Sequence, residues 1–186
     1  MDDGMFRVAD HEYDITYACL ELFSGMADNT ICWGLKITGK GRDGSDDMSE
    51  WQPVILAEEL LETKPGQMSH WYEIAGTTLA WDEPNRSPQA LFEVDETTAI
   101  YKCKWQFVAV PGNSRVRLIF DGMADIDVDH KRIPIHVDAL LAIAPWPMAR
   151  RSERECLDLY QRLGLKDPVE FRLQPHSVSS LVVLNQ

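Results

Sequence analysis

The sequence contains none of the short motifs that commonly mark an active site. H-E-x-x-H, G-x-S-x-G, G-x-G-x-x-G and C-x-x-C are all absent, and no cysteine has a histidine beside it in the sequence. Residues 34–40 read G-L-K-I-T-G-K, but Gly41 stands where a phosphate-binding loop has Ser or Thr, so we treat this match as chance. These absences favour a non-enzymatic protein that needs no cofactor.

Long apolar runs are also missing. No stretch approaches the roughly 18 apolar residues of a membrane-spanning helix, and residues 1–10 lack the apolar core of a secretion signal. The four cysteines, Cys19, Cys32, Cys103 and Cys156, lie far apart and form no disulfide or zinc pattern. We therefore expect a cytoplasmic protein with reduced thiols.

Positive charge is scarce. The 186 residues include 18 Lys and Arg against 30 Asp and Glu, which gives a formal net charge of −12. Such a surface repels nucleic-acid phosphates and anionic lipid headgroups, and it attracts a basic protein. We therefore expect neither a nucleic acid nor a membrane as a partner.

Alternation with a period of two residues is the strongest pattern that is present. From Thr98 to Val110 apolar and polar residues largely alternate, residues 111–114 read Pro-Gly-Asn-Ser, and the alternation resumes from Arg115 to Phe120. This pattern predicts a long antiparallel hairpin. Shorter runs of the same kind recur along most of the chain, so the protein should be mainly β.

Helical signals are few. Pro53 followed by Val54, Ala57, Leu60 and Leu61 favours a helix over residues 53–62, although a short strand at residues 54–56 is the alternative. A capping box predicts a peripheral helix within residues 150–164. We expect a single domain over residues 1–186, an α+β antiparallel sandwich or open barrel with one or two peripheral helices, and residues 1–12 as a loose arm.

One segment concentrates histidine and carboxylate side chains. His136 and Asp138 would share a strand face close to His130, and a hairpin at Lys131 could bring Asp127 or Asp129 across to them. This grouping suggests a small-molecule or metal site, or an acid and base pair of a hydrolase. Residues 125–129 alternate aspartates as a calcium loop does, but His130 and His136 occupy the places of its Gly and Glu.

The leading functional hypothesis follows from charge. We expect an acidic module that captures a basic protein, as an immunity protein neutralises a toxin, and no metal site. The small-molecule or metal site near His136 is the alternative. Aromatic residues beside prolines would serve as anchors next to acidic groups, and the expected partner-binding residues are Asp43, Asp46, Asp47, Glu50, Trp51, Trp81, Asp125, Asp127 and Asp129.

Overall fold

The computed structural model describes most of the chain, namely residues 4–24, 31–42, 47–63, 71–82, 89–94, 96–112, 115–125, 132–145, 171–176 and 179–184. The described residues form eleven strands and two short 3-10 turns at Asp47–Glu50 and Trp71–Ile74. The strands are β1 Met5–Val8, β2 His11–Ser24, β3 Ile31–Gly41, β4 Val54–Thr63, β5 Thr78–Trp81, β6 Gln89–Glu93, β7 Thr97–Ala109, β8 Val116–Asp125, β9 Arg132–Pro145, β10 Phe171–His176 and β11 Ser179–Leu184.

Eight of these strands close into a barrel. The hydrogen-bonded order runs β1, β2, β3, β4, β6, β7, β8, β9 and returns to β1. Strand β5 pairs with residues 103–106 of β7, beyond the part of β7 that pairs with β6. Neighbouring strands are antiparallel except where β2 and β9 run parallel beyond the end of β1. The protein is therefore mainly β, and the ring is a closed barrel rather than the expected sandwich or open barrel.

Large apolar side chains fill the barrel. One continuous cluster joins inward-facing residues from every strand of the ring, and its largest fully buried members are Trp105, Tyr13, Phe6, Phe92, Phe107 and Phe120. Trp105 lies 4.1 Å from Phe120, between ring centroids, and stacks on Trp81 at 6.0 Å. An eight-stranded barrel has an interior about wide enough for its own side chains, and this cluster occupies it.

The predicted hairpin is confirmed as β7 and β8, with one irregularity. Ile100 and Cys103 both point inward, whereas Tyr101 and Lys102 both lie on the outer side, so the alternation slips by one residue. Lys102 has a φ of 50°, in the left-handed region. This is the geometry of a β-bulge, which places an additional residue on one face of the strand.

The helix expected over residues 53–62 is wrong. These residues belong to strand β4, which pairs with β3 and β6. The register against β3 shifts between Trp33 and Leu35, and the buried positions of β4 consequently pass from Ala57 to Leu60. A spacing of three residues at this shift imitates the helical period.

The N-terminal segment is also more ordered than expected. Within residues 1–12, Met5–Val8 form strand β1 between β2 and β9, and Phe6 and Val8 are fully buried. A loose arm is therefore excluded for this strand. The helix expected at residues 150–164 lies outside the described residues.

The described residues contain no helix long and apolar enough to cross a membrane. Strands β10 and β11 pair with each other as a separate two-stranded sheet. The polar side chains of the ring strands lie mainly on the outer surface of the barrel.

Candidate functional site on the outer face of the barrel

A cavity of about 450 Å³ lies on the outer side of the barrel where strands β1, β7, β8 and β9 meet. Its floor includes the backbone of the inward-facing positions Gly122 and Ile135, and Met123 and Pro134 add apolar surface. Charged and titratable side chains surround these groups. The full lining is Arg7, Ala9, Asp10, Lys102, Asp121, Gly122, Met123, Pro134, Ile135 and His136.

The register of the barrel brings the polar lining together. His136 on β9 lies opposite Arg7 on β1 and opposite Asp121 on β8. All three residues occupy outward-facing positions of their strands, because side chains alternate between the two faces. One cross-strand row therefore presents a cation, an imidazole and a carboxylate side by side.

His136 and Asp121 are in direct contact. Nδ1 of His136 lies 2.7 Å from Oδ1 of Asp121. The imidazole side chain is 24% exposed and the carboxylate side chain is 56% exposed. Because this contact occupies Nδ1, the ring nitrogen that remains for a ligand is Nε2.

Two backbone outliers border the same cavity. Ala9 and Lys102 have φ values of 52° and 50°, and they are the non-glycine residues with positive φ in the described ranges. Ala9 begins the two-residue turn from β1 to β2, and its N–H donates to the carbonyl of Pro134. The N–H of Lys102 donates to the carbonyl of Asp82. Each left-handed residue costs about 1–2 kcal/mol, and such strain concentrates at functional sites.

Two ion pairs lie on the outer face of β8 and β9 near the cavity, whereas Lys104 on β7, opposite Asp121, makes no ion pair among the described residues. The guanidinium of Arg117 binds both carboxylate oxygens of Asp138, and Arg132 lies 3.3 Å from Asp125. Arg132 also sits over the ring of Tyr101, 4.6 Å from its centroid. These ion pairs join β8 to β9, and the opposite charges within each pair offset each other.

The predicted His136 site is thus partly assembled. His136 and Asp138 share the outer face as expected, but they have different partners, Asp121 and Arg117. The residue opposite His136 is Asp121, rather than Asp127 or Asp129 as the expected hairpin at Lys131 would give. His130 lies outside the described residues. Among the residues that are described, no group of three or more His, Cys, Asp or Glu could hold a metal ion.

The expected protein-binding residues that the structure describes lie on different elements. Glu50 is exposed at the end of a 3-10 turn that begins at Asp47. Trp51 is half-buried against the core, and Trp81 stacks on Trp105. Asp125 is paired with Arg132, as described above. Asp43, Asp46, Asp127 and Asp129 lie outside the described residues, as does the side chain of Asp47.

Sequence reasoning did not identify Arg7, Ala9, Lys102 or Asp121. The slip in alternation between Ile100 and Cys103 was the available signal for Lys102, because two inward residues three apart within a strand require a bulge. The contact of His136 with Asp121 depends on the register between β8 and β9, which local sequence patterns do not determine.

Comparisons with known proteins add no assignment to this geometry. The chain matches no protein-family model, and neither the curated proteins nor the solved structures gave a significant match.

Proposed function

We propose that this barrel is a non-enzymatic binding protein that holds a small molecule in the His136 cavity. The observation that carries the proposal is the coincidence, at one cavity, of the His136 and Asp121 pair with both left-handed non-glycine residues of the described chain. The volume of about 450 Å³ falls within the range of roughly 300–1,000 Å³ that is usual for small-molecule sites.

The lining chemistry favours binding over catalysis. An imidazole oriented by a carboxylate supplies two of the three members of a hydrolytic triad, which also needs a hydroxyl or thiol nucleophile. None of the ten lining residues is Ser, Thr, Tyr or Cys. The buried thiol of Cys103 is an inward-facing core residue. The site is therefore equipped to orient a ligand.

The test is to identify what the protein retains. Wild-type protein and His136→Gln are purified from cells in parallel, and the small molecules released by heat are compared by mass spectrometry. A compound that accompanies the wild type at a stoichiometric level and is depleted from the variant supports the proposal. Equal retention of the compound by both proteins would overturn the proposal. It would also be overturned if no compound is retained and a fragment screen produces no NMR shift at the cavity.

A second candidate function is the capture of a basic protein, as an immunity protein or inhibitor does. Its support is the net charge of −12 and the exposed Glu50, which lies close in the sequence to Asp43, Asp46 and Asp47. Charge reversal at Asp43, Asp46, Asp47 and Glu50 should weaken capture of that protein and reduce its dependence on salt. Unchanged capture and unchanged salt dependence would exclude this function for that surface.

The proposal includes a cytoplasmic location. Cys103 is a free and buried thiol, which suits a compartment that keeps thiols reduced.

A further inference from the structure

The His136 cavity is lined by two cations that lack an ion-pair partner in the described ranges, although the chain as a whole is strongly acidic. With a neutral imidazole the formal charges of the lining balance, and protonation of His136 makes the lining net positive. Arg7 and Lys102 line it, and neither makes an ion pair within the described part of the chain. Of its two carboxylates, Asp121 is held by His136 and only Asp10 is unpaired among the described residues. Two cations thus face one uncommitted carboxylate.

Arg7 is unpaired for a structural reason. Its cross-strand neighbour on β2 is Glu12, which would normally be its partner. Glu12 instead lies 2.7 Å from Nη1 of Arg42, and Asp14 lies 2.7 Å from Nε of the same side chain. Arg42 therefore engages both Glu12 and Asp14, and the guanidinium of Arg7 remains for the cavity.

Lys102 is placed by the bulge in β7. An ideal alternation that keeps Ile100 inward would also put residue 102 inward, where an ammonium group is costly to bury. The left-handed backbone at Lys102 puts the side chain on the outer face, where it lines the cavity. Backbone strain of this kind is typical of functional sites, which favours a functional role for the charge of Lys102.

We propose that the ligand of this cavity is a small oxyanion, a carboxylate or a phosphate-type group, bound by Arg7 and Lys102 and by Nε2–H of protonated His136. This inference rests on the proposed function. A guanidinium can bind two oxygens of such a group at once, and an ammonium adds a point charge. The chemistry is the same whether the oxygens belong to a carboxylate or to a tetrahedral group.

The geometry makes binding depend on pH. When the imidazole is neutral and its Nδ1–H donates to Asp121, Nε2 presents a lone pair, which repels an oxyanion. When it is protonated, both nitrogens donate and Nε2–H can bind the ligand. The charged groups that face His136 are Arg7 on β1, Asp121 on β8, Lys102 on β7 and Asp10 in the turn. Binding of an oxyanion at Nε2 therefore requires a protonated imidazole and weakens as the pH rises.

The experiment is an NMR titration of the ¹⁵N-labelled full chain at pH 5.5 and pH 8.0 at fixed ionic strength. Sulfate serves as the tetrahedral probe and acetate as the carboxylate probe, because both keep nearly constant charge over this interval. Glycine is the zwitterionic comparison and ammonium the cationic one. We expect saturable shifts at the cavity for at least one oxyanion, with affinity about tenfold higher at pH 5.5.

Variants separate the site from general charge effects. Arg7→Gln and Lys102→Gln should each weaken oxyanion binding about tenfold, and His136→Gln should remove the pH dependence. Lys40→Gln is the matched control, since Lys40 is an exposed cation on β3 that does not line the cavity. It should leave binding unchanged. The ¹⁵N spectrum of each variant verifies that it is folded.

The outcomes distinguish this inference from the proposed function. If the small molecule retained by the wild type carries no anionic oxygen, or if ammonium or glycine binds better than either oxyanion, the cavity is a ligand site and the oxyanion inference is wrong. Oxyanion shifts that are equal in wild type and in Arg7→Gln would also overturn it. The absence of both a retained molecule and any saturable shift would reject the inference and the proposed function together.

Discussion

Asp121 and His136 face each other across β8 and β9, with the carboxylate Oδ1 2.7 Å from the imidazole Nδ1. More than half of the Asp121 side chain is exposed to water, and an exposed pair of this kind contributes about 0–1 kcal/mol to folding. The contact matters because it fixes the ring orientation and determines which nitrogen faces the cavity.

The first prediction separates orientation from stability. Asp121→Ala should change the free energy of unfolding by less than about 1 kcal/mol, since the pair is solvent-screened. It should also change the tautomer ratio of His136, measured from its ring ¹⁵N shifts, because the acceptor at Nδ1 is removed. A loss of stability well above 2 kcal/mol with an unchanged tautomer ratio would show that Asp121 is structural.

The second prediction concerns the left-handed residues at the cavity. Ala9→Gly and Lys102→Gly should each stabilise the protein by up to about 1 kcal/mol, because glycine accepts positive φ and this gain exceeds its higher unfolded-state entropy. Guanidinium denaturation measures the change. Ala80→Gly and Lys104→Gly are the matched controls on β5 and β7, at positions without positive φ, and both should destabilise. A stability change of the same sign at the positive-φ positions and at the control positions would show that Ala9 and Lys102 are not strained.

The third prediction tests the close packing inside the barrel. A Cβ added at Gly122 would lie 2.7 Å from Cγ2 of Ile100 and 2.7 Å from Cζ of Phe120. Gly122→Ala should therefore destabilise by about 1–3 kcal/mol, measured by urea or thermal unfolding. In the background of Phe120→Leu the same substitution should cost less, since one of the two obstructing groups is removed. Additive costs would indicate that the strand relaxes without involving Phe120.

The fourth prediction follows from Cys103. Burial raises the pKa of its thiol from 9.0 to about 12. Above pH 9 the unfolded chain ionises at this residue while the folded chain keeps the proton. The stability that the folded state gains from keeping this thiol protonated is therefore fully present below pH 9. The free energy of unfolding then falls as the pH rises from 9 towards 12, by up to about 1.4 kcal/mol per pH unit.

Comparison with Cys103→Ala isolates this effect from other alkaline titrations. The difference in unfolding free energy between wild type and variant should be constant from pH 6 to 8 and should shrink above pH 9. A difference that stays constant up to pH 11 would show that the thiol ionises at similar pH in both states.

The strands were largely predictable from the sequence because their alternation is clear. The β7 and β8 hairpin is marked by Trp105 and Phe107 on one arm and Leu118 and Phe120 on the other, all of them inward-facing. Alternation failed as a guide where a register shift interrupts it. In β4 the step from Ala57 to Leu60 has helical spacing, and a short window cannot distinguish a helix from a strand with an irregularity.

Barrel closure and the site depend on long-range register, which leaves little local signal. Nothing near Arg7 indicates that it pairs across strands with His136, and nothing near Asp121 indicates that it contacts that ring. The two left-handed residues are also poorly encoded, because Ala and Lys are not the residue types that usually adopt positive φ. The candidate site therefore emerged from tertiary structure rather than from a motif.

The insertion of β1 between β2 and β9 has a consequence for synthesis on the ribosome. Phe6 aligns with Val137, so β1 gains its second neighbour only after about 130 further residues have been translated, on the order of ten seconds later. During that interval one edge of β1 is without its final partner, and exposed strand edges invite pairing with other chains. Closure is therefore a late and slow step of folding, and a nascent chain that stalls before β9 is the form most exposed to aggregation.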